Sequence, residues 1–402
     1  MTDLCLYFQV HQPFRLRNYS IFDVGNSVQY FDDKKNKEIL QKVANKCYLP
    51  ANRILLENLY KYPGRFKVAF SITGTALEQF EMYAPEVIDS FKNLADTGNV
   101  EFLSETYYHS LSFLFDKNEF AYQVDMHKRA IQRLFNQTPK VFRNTELIYN
   151  NELAKTVKDM GFSAVLAEGA DHILGWKSPN FVYAPHTADG MKLLLKNYKL
   201  SDDIAFRFSN KGWEGHPLTA AKFADWMSPI LGDSINLFMD YETFGEHQWA
   251  DTGIFDFLKH LPSEVFRKNM SFKHPSEIAK IPAKDTLDIH NPISWADVER
   301  DTSAWLGNKM QQSAIERLYR MKDAVMNSNN SRVIESWRRL TTSDHFYYMC
   351  TKWFNDGDVH KYFSPYESPY ECFMAFMTAL DDVALRCGLE KGNIKETKWV
   401  KI

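Results

Sequence analysis

Residues 235–242 read Ile-Asn-Leu-Phe-Met-Asp-Tyr-Glu. An almost unbroken apolar run stops at Asp240 and Glu242. Continuous apolar runs of this kind, rather than alternating ones, mark strands buried on both faces, as in a parallel sheet covered by helices. The same reading applies at 4–10, 66–72, 100–103, 141–143, 164–167, 192–195 and 205–208. Between these lie helical periodicities at 51–61, 84–97, 117–135, 151–160, 218–231 and 253–261. Buried strands alternating with helices are βα units. Seven or eight of them predict an α/β chain folded as a closed or nearly closed barrel. A doubly wound open sheet is the alternative, although no glycine-rich nucleotide fingerprint follows any of the strands.

The pattern changes near Asn291-Pro292. Beyond it, 303–326, 331–341 and 369–387 have helical spacing with no convincing strand between them, and 327–331 reads as an interhelix turn. We expect a catalytic barrel over residues 1–290 and a helical C-terminal domain over 291–402 that completes the cleft. A chain of 402 residues allows this, since single cores stop growing near ~250–300 residues.

Composition excludes several classes of partner. With a formal net charge of −3 and basic residues scattered among acids, the chain lacks the basic face that nucleic acid requires. No run of 18 apolar residues is present, so no membrane span is expected. The five cysteines are odd in number, widely spaced and without a CxxC pair. Together with the non-basic start Met1-Thr2-Asp3, they fit thiols in a reducing, cytoplasmic setting. Aromatic residues make up 15% of the chain, which fits a sugar site and a well-filled core equally. Oligomeric state is not readable.

Ionisable groups recur where the expected strands end, which in parallel α/β folds is the rim of the ligand cleft. The run at 4–10 leads into His11-Gln12-Pro13. That at 100–103 leads to Glu105 and then Tyr107-Tyr108-His109, and 141–143 leads to Asn144-Thr145-Glu146. Each alone reads equally as a cap or turn residue; four together are harder to explain that way. Glu146 beside Arg143 is expected to stay ionised, as a nucleophile must; a purely structural ion pair is the alternative. Asp240, at the mouth of an apolar strand, is placed to hold a proton as a general acid. Glu242 is either its rival or a neighbour that raises its pKa. A His11, His109, Asp240 metal set competes, but no HExxH, HxH or CxxC accompanies it, so no metal or cofactor is expected. Trp213, Trp295 and Trp305 sit in loops or at helix starts and read either as sugar platforms or as interdomain packing. Trp337 and Trp353 read as packing.

Taken together, these residues resemble glycoside hydrolase family 57, the α-amylase, 4-α-glucanotransferase and branching-enzyme group. Five ordered blocks carry the resemblance: residues 8–13 (Phe-Gln-Val-His-Gln-Pro), 98–102 with 107–109, 142–146 (Phe-Arg-Asn-Thr-Glu), 239–247 (Met-Asp-Tyr-Glu-Thr-Phe-Gly-Glu-His), and 294–305. The resemblance implies a (β/α)7 barrel and retention of configuration, with Glu146 as nucleophile, Asp240 as proton donor and no catalytic metal. His109 stands where glucanotransferase-like members tend to carry an acid, so the chain looks most like the α-amylase type. Tyr241 replaces a glycine common in the family. The expected activity is hydrolysis of α-glucans or maltooligosaccharides through a covalent glycosyl-enzyme. The carboxyl groups should stand ~5–5.5 Å apart. His11, His109 and Arg143 are expected to bind sugar hydroxyls or fix the charge on Glu146, and Trp295 or Trp305 to close over the glucan from the second domain. Glucan transfer or branching uses the same apparatus. A metal-dependent polysaccharide deacetylase or a non-catalytic sugar-binding barrel is the alternative of another class.

Overall fold

The computed structural model describes residues 2–352 and 364–389, so Trp353 and parts of the expected C-terminal domain lie outside the described residues. Among the described residues the strands are β1 (Asp3–Val10), β2 (Val68–Ile72), β3 (Val100–Phe102), β4 (Val141–Arg143), β5 (Ala164–Glu168), β6 (Tyr183–Pro185), β7 (Lys192–Lys196), β8 (Ser234–Asp240) and β9 (Asp285–Leu287). β1 pairs in parallel with β2 on one side and β8 on the other, with Val10 opposite Ile72 and Gln9 opposite Asp240. β2–β3, β4–β5 and β5–β7 are also parallel.

Two seams turn these ladders into a ring. Between β3 and β4, the Ser104 N–H donates to the Val141 carbonyl at 3.0 Å, and the Ser104 carbonyl accepts from the Arg143 N–H at 2.9 Å. Between β7 and β8, the Asn197 N–H donates to the Asn236 carbonyl at 2.8 Å. The Asn236 side chain returns a bond to the Leu195 carbonyl at 2.8 Å. The result is a (β/α)7 barrel. β6 pairs antiparallel with β7 and carries β9 outside the ring.

The period-two alternation of a strand divides the core into two layers. Cys5, Tyr7, Ala69, Leu103, Val141, Leu166, Leu194 and Phe238 form one buried cluster, the barrel interior. Leu4, Leu6, Phe8, Val10, Phe70, Ile72, Leu237 and Met239 join the helices in the other. Several of those helices begin on a side-chain cap. Thr73, Asn150, Asn197 and Thr219 each accept a backbone N–H from the first helical turn, satisfying donors that a helix start leaves open.

The expected strand at 205–208 does not form. Asn197 starts a helix at Tyr198–Ala205, and the chain then turns at Phe206. The apolar alternation of Ala205-Phe206-Arg207-Phe208 imitated a strand, while the Asn cap upstream carried the deciding signal.

The chain divides into two compact units that interleave in sequence, whereas the sequence reading drew one boundary after residue 290. The first comprises 1–12, 37–107 and 123–295, and the second 13–36, 108–122 and 296–402. The second unit is helical, with Lys309–Arg320, Ser331–Leu340 and Pro369–Arg386 its longer helices beyond residue 300. Trp337 is buried within it, its indole N–H donating to the Leu318 carbonyl at 2.8 Å. Arg338 reaches Glu119 at 3.0 Å, and the buried Asp382 takes the Gly25 N–H at 2.6 Å, stitching the early segments to the later helices. No described helix is long and apolar enough to cross a membrane.

The mouth end of the barrel is closely packed. Gly169 follows β5, and a Cβ there would stand 2.3 Å from the Lys196 carbonyl oxygen of β7. Gly169→Ala is therefore expected to destabilise the protein by about 3 kcal/mol. An unchanged midpoint in denaturant unfolding would contradict this account of the β5–β7 junction.

Candidate active site

Counting two residues on from each interior apolar position gives the next inward side chain toward the carboxyl end of the strand. From Tyr7, Ala69, Leu103, Val141, Leu166, Leu194 and Phe238, the count arrives at Gln9, Ser71, Glu105, Arg143, Glu168, Lys196 and Asp240. Every strand of the ring thus supplies one polar residue to a single layer above the apolar interior. All but Asp240 are buried, and Asp240 is partly exposed.

A polar layer this deep must satisfy itself. Tyr7 Oη donates to Gln9 Oε1 at 2.8 Å, and Gln9 Nε2 donates to Glu105 Oε1 at 2.9 Å. Ser71 Oγ bonds the same carboxyl oxygen. The Glu105 N–H donates to His127 Nδ1 at 3.4 Å, and His127 Nε2 lies 2.8 Å from the Ile72 carbonyl. These contacts fix the Nε2–H tautomer. Burial keeps that imidazole below its ordinary range and neutral. Lys196 lies 3.7 Å from Glu168 and 3.2 Å from Asp202. Arg143 is 0% exposed, 3.9 Å from Glu105. Among the described residues none of its three guanidinium nitrogens has a hydrogen-bond partner.

Trp295 presents its ring to both buried cations. The Arg143 guanidinium carbon lies 4.8 Å and Lys196 Nζ 5.3 Å from the centroid of its ring, where the π-face attracts cations. Its indole N–H donates to Glu146 Oε2 at 2.8 Å, and its backbone N–H to the Glu146 carbonyl at 3.3 Å. Glu146 itself is a left-handed residue, with φ 57° and ψ 25°. A non-glycine residue there costs on the order of 1–2 kcal/mol. The turn is held by Leu147 N–H to the Asn144 carbonyl at 2.9 Å and Asn144 Nδ2 to the Ile148 carbonyl at 3.0 Å. Tyr149 and Ile293 exchange both backbone bonds at 2.9 Å, bringing the segment that carries Trp295 onto the turn. Glu146 is partly exposed.

On β8, Asp240 leads into a short helical turn at Tyr241–Thr243. Tyr241 points outward: it is fully buried against Phe8, Phe70 and Phe91, and its hydroxyl donates to Asn52 at 2.6 Å. It is a packing residue, which explains how a bulky side chain is accommodated next to Asp240. Glu242 Oε1 accepts the Tyr48 hydroxyl and the His11 N–H at 3.3 Å. A π-helical turn at Ala44–Tyr48 aims that hydroxyl, with Cys47 Sγ donating to the Tyr241 carbonyl at 3.2 Å. His11 Nδ1 lies 2.9 Å from Thr73 Oγ1. Burial, and next the charge of Asp240, push Glu242 up to about 8. It therefore holds its proton at neutral pH.

The fold thus gathers Arg143, Glu146 and Trp295 at one side of the barrel mouth and His11, Asp240 and Glu242 at another. In the ring order β4 and β8 are separated by three steps one way and four the other, so the chain segments that carry Glu146 and Asp240 leave the ring on opposite sides. Trp295 belongs to the barrel unit rather than the second one, and it braces Glu146. His109 and Trp305 belong to the second unit. Trp305 is 1% exposed and packs near Tyr347 at 6.1 Å, which does not match an open platform. Trp213 is half-buried and meets Trp226 edge-on at 5.9 Å, against the helix-facing core. Gln9, Glu168 and Lys196 were missed as site residues, and Glu105 was noted only as a strand end; the two-residue count from the apolar positions is the signal that finds them. Among the described residues no three His, Cys, Asp or Glu side chains gather into a metal-ligand group.

The raised Glu242 predicts a stability profile. In the unfolded chain the carboxyl has its ordinary value of 4.5, against about 8 when folded. Its contribution is full below the lower value and is lost as pH rises through the higher one, because only the unfolded state gains by ionising. Glu242→Gln keeps the carbonyl acceptor for Tyr48 and His11 and cannot ionise. The loss of stability between about pH 5 and pH 9 should be shallower in this variant, by on the order of 1–3 kcal/mol. Parallel thermal-melting curves for the two proteins would exclude Glu242 as the responsible group.

Comparison with known proteins places this arrangement. Residues 5–290 match the family model described as Glycosyl hydrolase family 57. A Methanocaldococcus jannaschii protein named "Putative alpha-amylase" is 45% identical over 390 residues, covering 93% of this chain and 82% of its own. Among solved structures, the GH57-type branching enzyme of Pyrococcus horikoshii superposes with a TM-score of 0.68 at 12% identity, over 96% of this chain and 95% of that one. The 4-alpha-glucanotransferase of Thermococcus litoralis superposes at 0.66 with 16% identity, over 86% of this chain and 56% of that one. At these identities the superpositions establish the shared fold alone. A family match over residues 5–290, with 45% identity to a relative over 93% of this chain and 82% of its own, establishes that the chain belongs to glycosyl hydrolase family 57.

Proposed function

We propose that this glycoside hydrolase cleaves α-glucosidic bonds in α-glucans with retention, as an α-amylase-type enzyme, using Glu146 as nucleophile and Asp240 as general acid/base. The relative's name supports the substrate class. The observation that carries the chemistry is the fixation of Glu146. Its Oε2 is engaged by the Trp295 indole N–H, which fixes the orientation of the carboxylate. The indole in turn rests on two buried cations, a surrounding that favours the ionised carboxylate.

Asp240 protonates the glycosidic oxygen as the Glu146 carboxylate attacks the anomeric carbon from the opposite face. The bond to the leaving glucan breaks and a glycosyl ester forms. Asp240, now ionised, takes a proton from water as the water oxygen attacks the same carbon, releasing the sugar and restoring Glu146. The reading requires ~5–5.5 Å between the carboxyl groups. Arg143, wholly buried, acts on charge rather than on sugar hydroxyls. The five cysteines are all thiols, which supports a cytoplasmic setting.

Glu146→Gln and Asp240→Asn are each expected to lower turnover of maltooligosaccharides by at least about 10³-fold, and a fluorinated glycosyl reagent should label the peptide containing Glu146. Label on another residue would remove Glu146 from the mechanism. Product analysis decides the acceptor: rising reducing ends mean hydrolysis, while longer chains at constant reducing ends would replace hydrolysis by glucan transfer. Trp295→Phe keeps the ring on the cations and deletes the bond to Glu146. A kcat lower by about 10- to 100-fold, without loss of folding, is expected. Unchanged kcat would show that the contact is not part of catalysis.

A further inference from the structure

Large aromatic side chains left in water are the least explained feature of the barrel unit. Two of them lie on segments tied to the strand that carries Asp240. Trp249 is 60% exposed and Phe206 62% exposed, and their backbone neighbours are bonded to each other. The buried Gln248 donates its side-chain amide to the Ala205 carbonyl at 2.8 Å. This bond joins the loop that follows β8 to the last turn of the helix that follows β7.

Neither segment is loosely held. In the loop, the Gly245 N–H donates to the Gln248 carbonyl at 2.8 Å, the His247 N–H to the Glu242 carbonyl at 2.9 Å, and the Gln248 N–H to the Thr243 carbonyl at 3.0 Å. Gly245 has φ +106°, and a Cβ there would stand 2.0 Å from the Lys46 carbonyl oxygen, so only glycine lets the loop close this tightly. The helix is fixed to β8 by the Phe238 N–H, which donates to Ser201 Oγ at 3.2 Å. Lys46 Nζ sits 5.6 Å from the Trp249 ring centroid and 3.9 Å from Glu246, so the indole is oriented while most of it stays open to water.

We infer that Trp249 and Phe206 form an outer glucan subsite on the leaving-group side, stacking on the apolar C–H faces of successive glucose units beyond the bond being cleaved. The inference rests on the assignment of α-glucans as substrate. Continuity with the site selects this ligand. Trp249 lies in the loop that follows β8, Phe206 ends the helix that follows the adjacent strand β7, the Gln248–Ala205 bond ties the two segments together, and β8 carries the acid that protonates the leaving oxygen. Exposed, rigidly mounted aromatic surface next to a cleft marks a binding face. A polymer of repeating sugars offers the flat, weakly polar faces that such rings take.

Trp249→Ala, Phe206→Ala and the double variant test it, with kcat/KM measured on maltotriose, maltopentaose and maltoheptaose. The loss should grow with chain length, reaching about ten-fold more for maltoheptaose than for maltotriose in the double variant, with Trp249→Phe close to wild type. An equal loss at every length, or none, overturns the subsite. Native electrophoresis through gels containing soluble starch reads binding without turnover: wild type should be retarded and the double variant less so. If wild type is retarded but shows no turnover, the hydrolase assignment fails while the subsite stands. Equal mobility of wild type and double variant overturns the subsite. So does sedimentation showing that the substitutions dissociate a dimer while starch retardation persists, since the face would then belong to a second copy of the chain.

Discussion

Closing parallel strands into a ring leaves each strand two directions for its side chains: into the barrel, or out toward the helices. A barrel of this width fills its interior with apolar side chains and carries its polar groups at the open end, so the last inward residue of each strand becomes part of one layer. In this chain that layer is Gln9, Ser71, Glu105, Arg143, Glu168, Lys196 and Asp240. Its charges are buried deeply enough that each needs a counter-charge, a hydrogen bond or a π-face. Glu105 meets the first two needs at once, taking Gln9 and Ser71 on one oxygen and facing Arg143 with the other.

Trp295 is where that constraint becomes chemistry. The indole presents its face to Arg143 and Lys196 and its N–H to Glu146, so one side chain settles two buried cations and orients one carboxylate. The backbone of Glu146 is bent into the left-handed region, and the same segment holds it there. A carboxylate placed by such a turn has little freedom to rotate away, which is the preorganisation that a nucleophile benefits from.

The opposite wall is tuned by burial. Burial pushes Glu242 up to about 8, with Tyr48 and the His11 backbone bonding the same oxygen. Asp240 therefore stands beside a neutral group although the sequence puts two acids within three residues. The loop that carries them is glycine-pinned and bonded to the helix after β7, and it reaches the solvent at Trp249.

Much of this was legible in the sequence. The strand at 141–143 and the helix at 117–135 lie where periodicity put them, because long or strongly apolar runs carry their own signal. β6 and β9 read Tyr-Ala-Pro and Asp-Thr-Leu, with no apolar run to show, and the false strand at 205–208 ignored the Asn197 cap. Asp240 was accessible to simple alternation, since its inward direction follows from the register of β8. Glu146 was not. Continued strand geometry from Arg143 would turn it away from the interior, and only the left-handed turn, stabilised by residues some 150 positions later, brings it to Trp295. Sequence by itself determined which strands are buried and which residues terminate them, because both depend on neighbours in the chain. The tertiary structure alone decided how Glu146 is aimed, that Glu242 stays neutral, and that Trp295 braces a carboxylate instead of standing open as a platform. Each of these depends on groups brought together only when the ring closes.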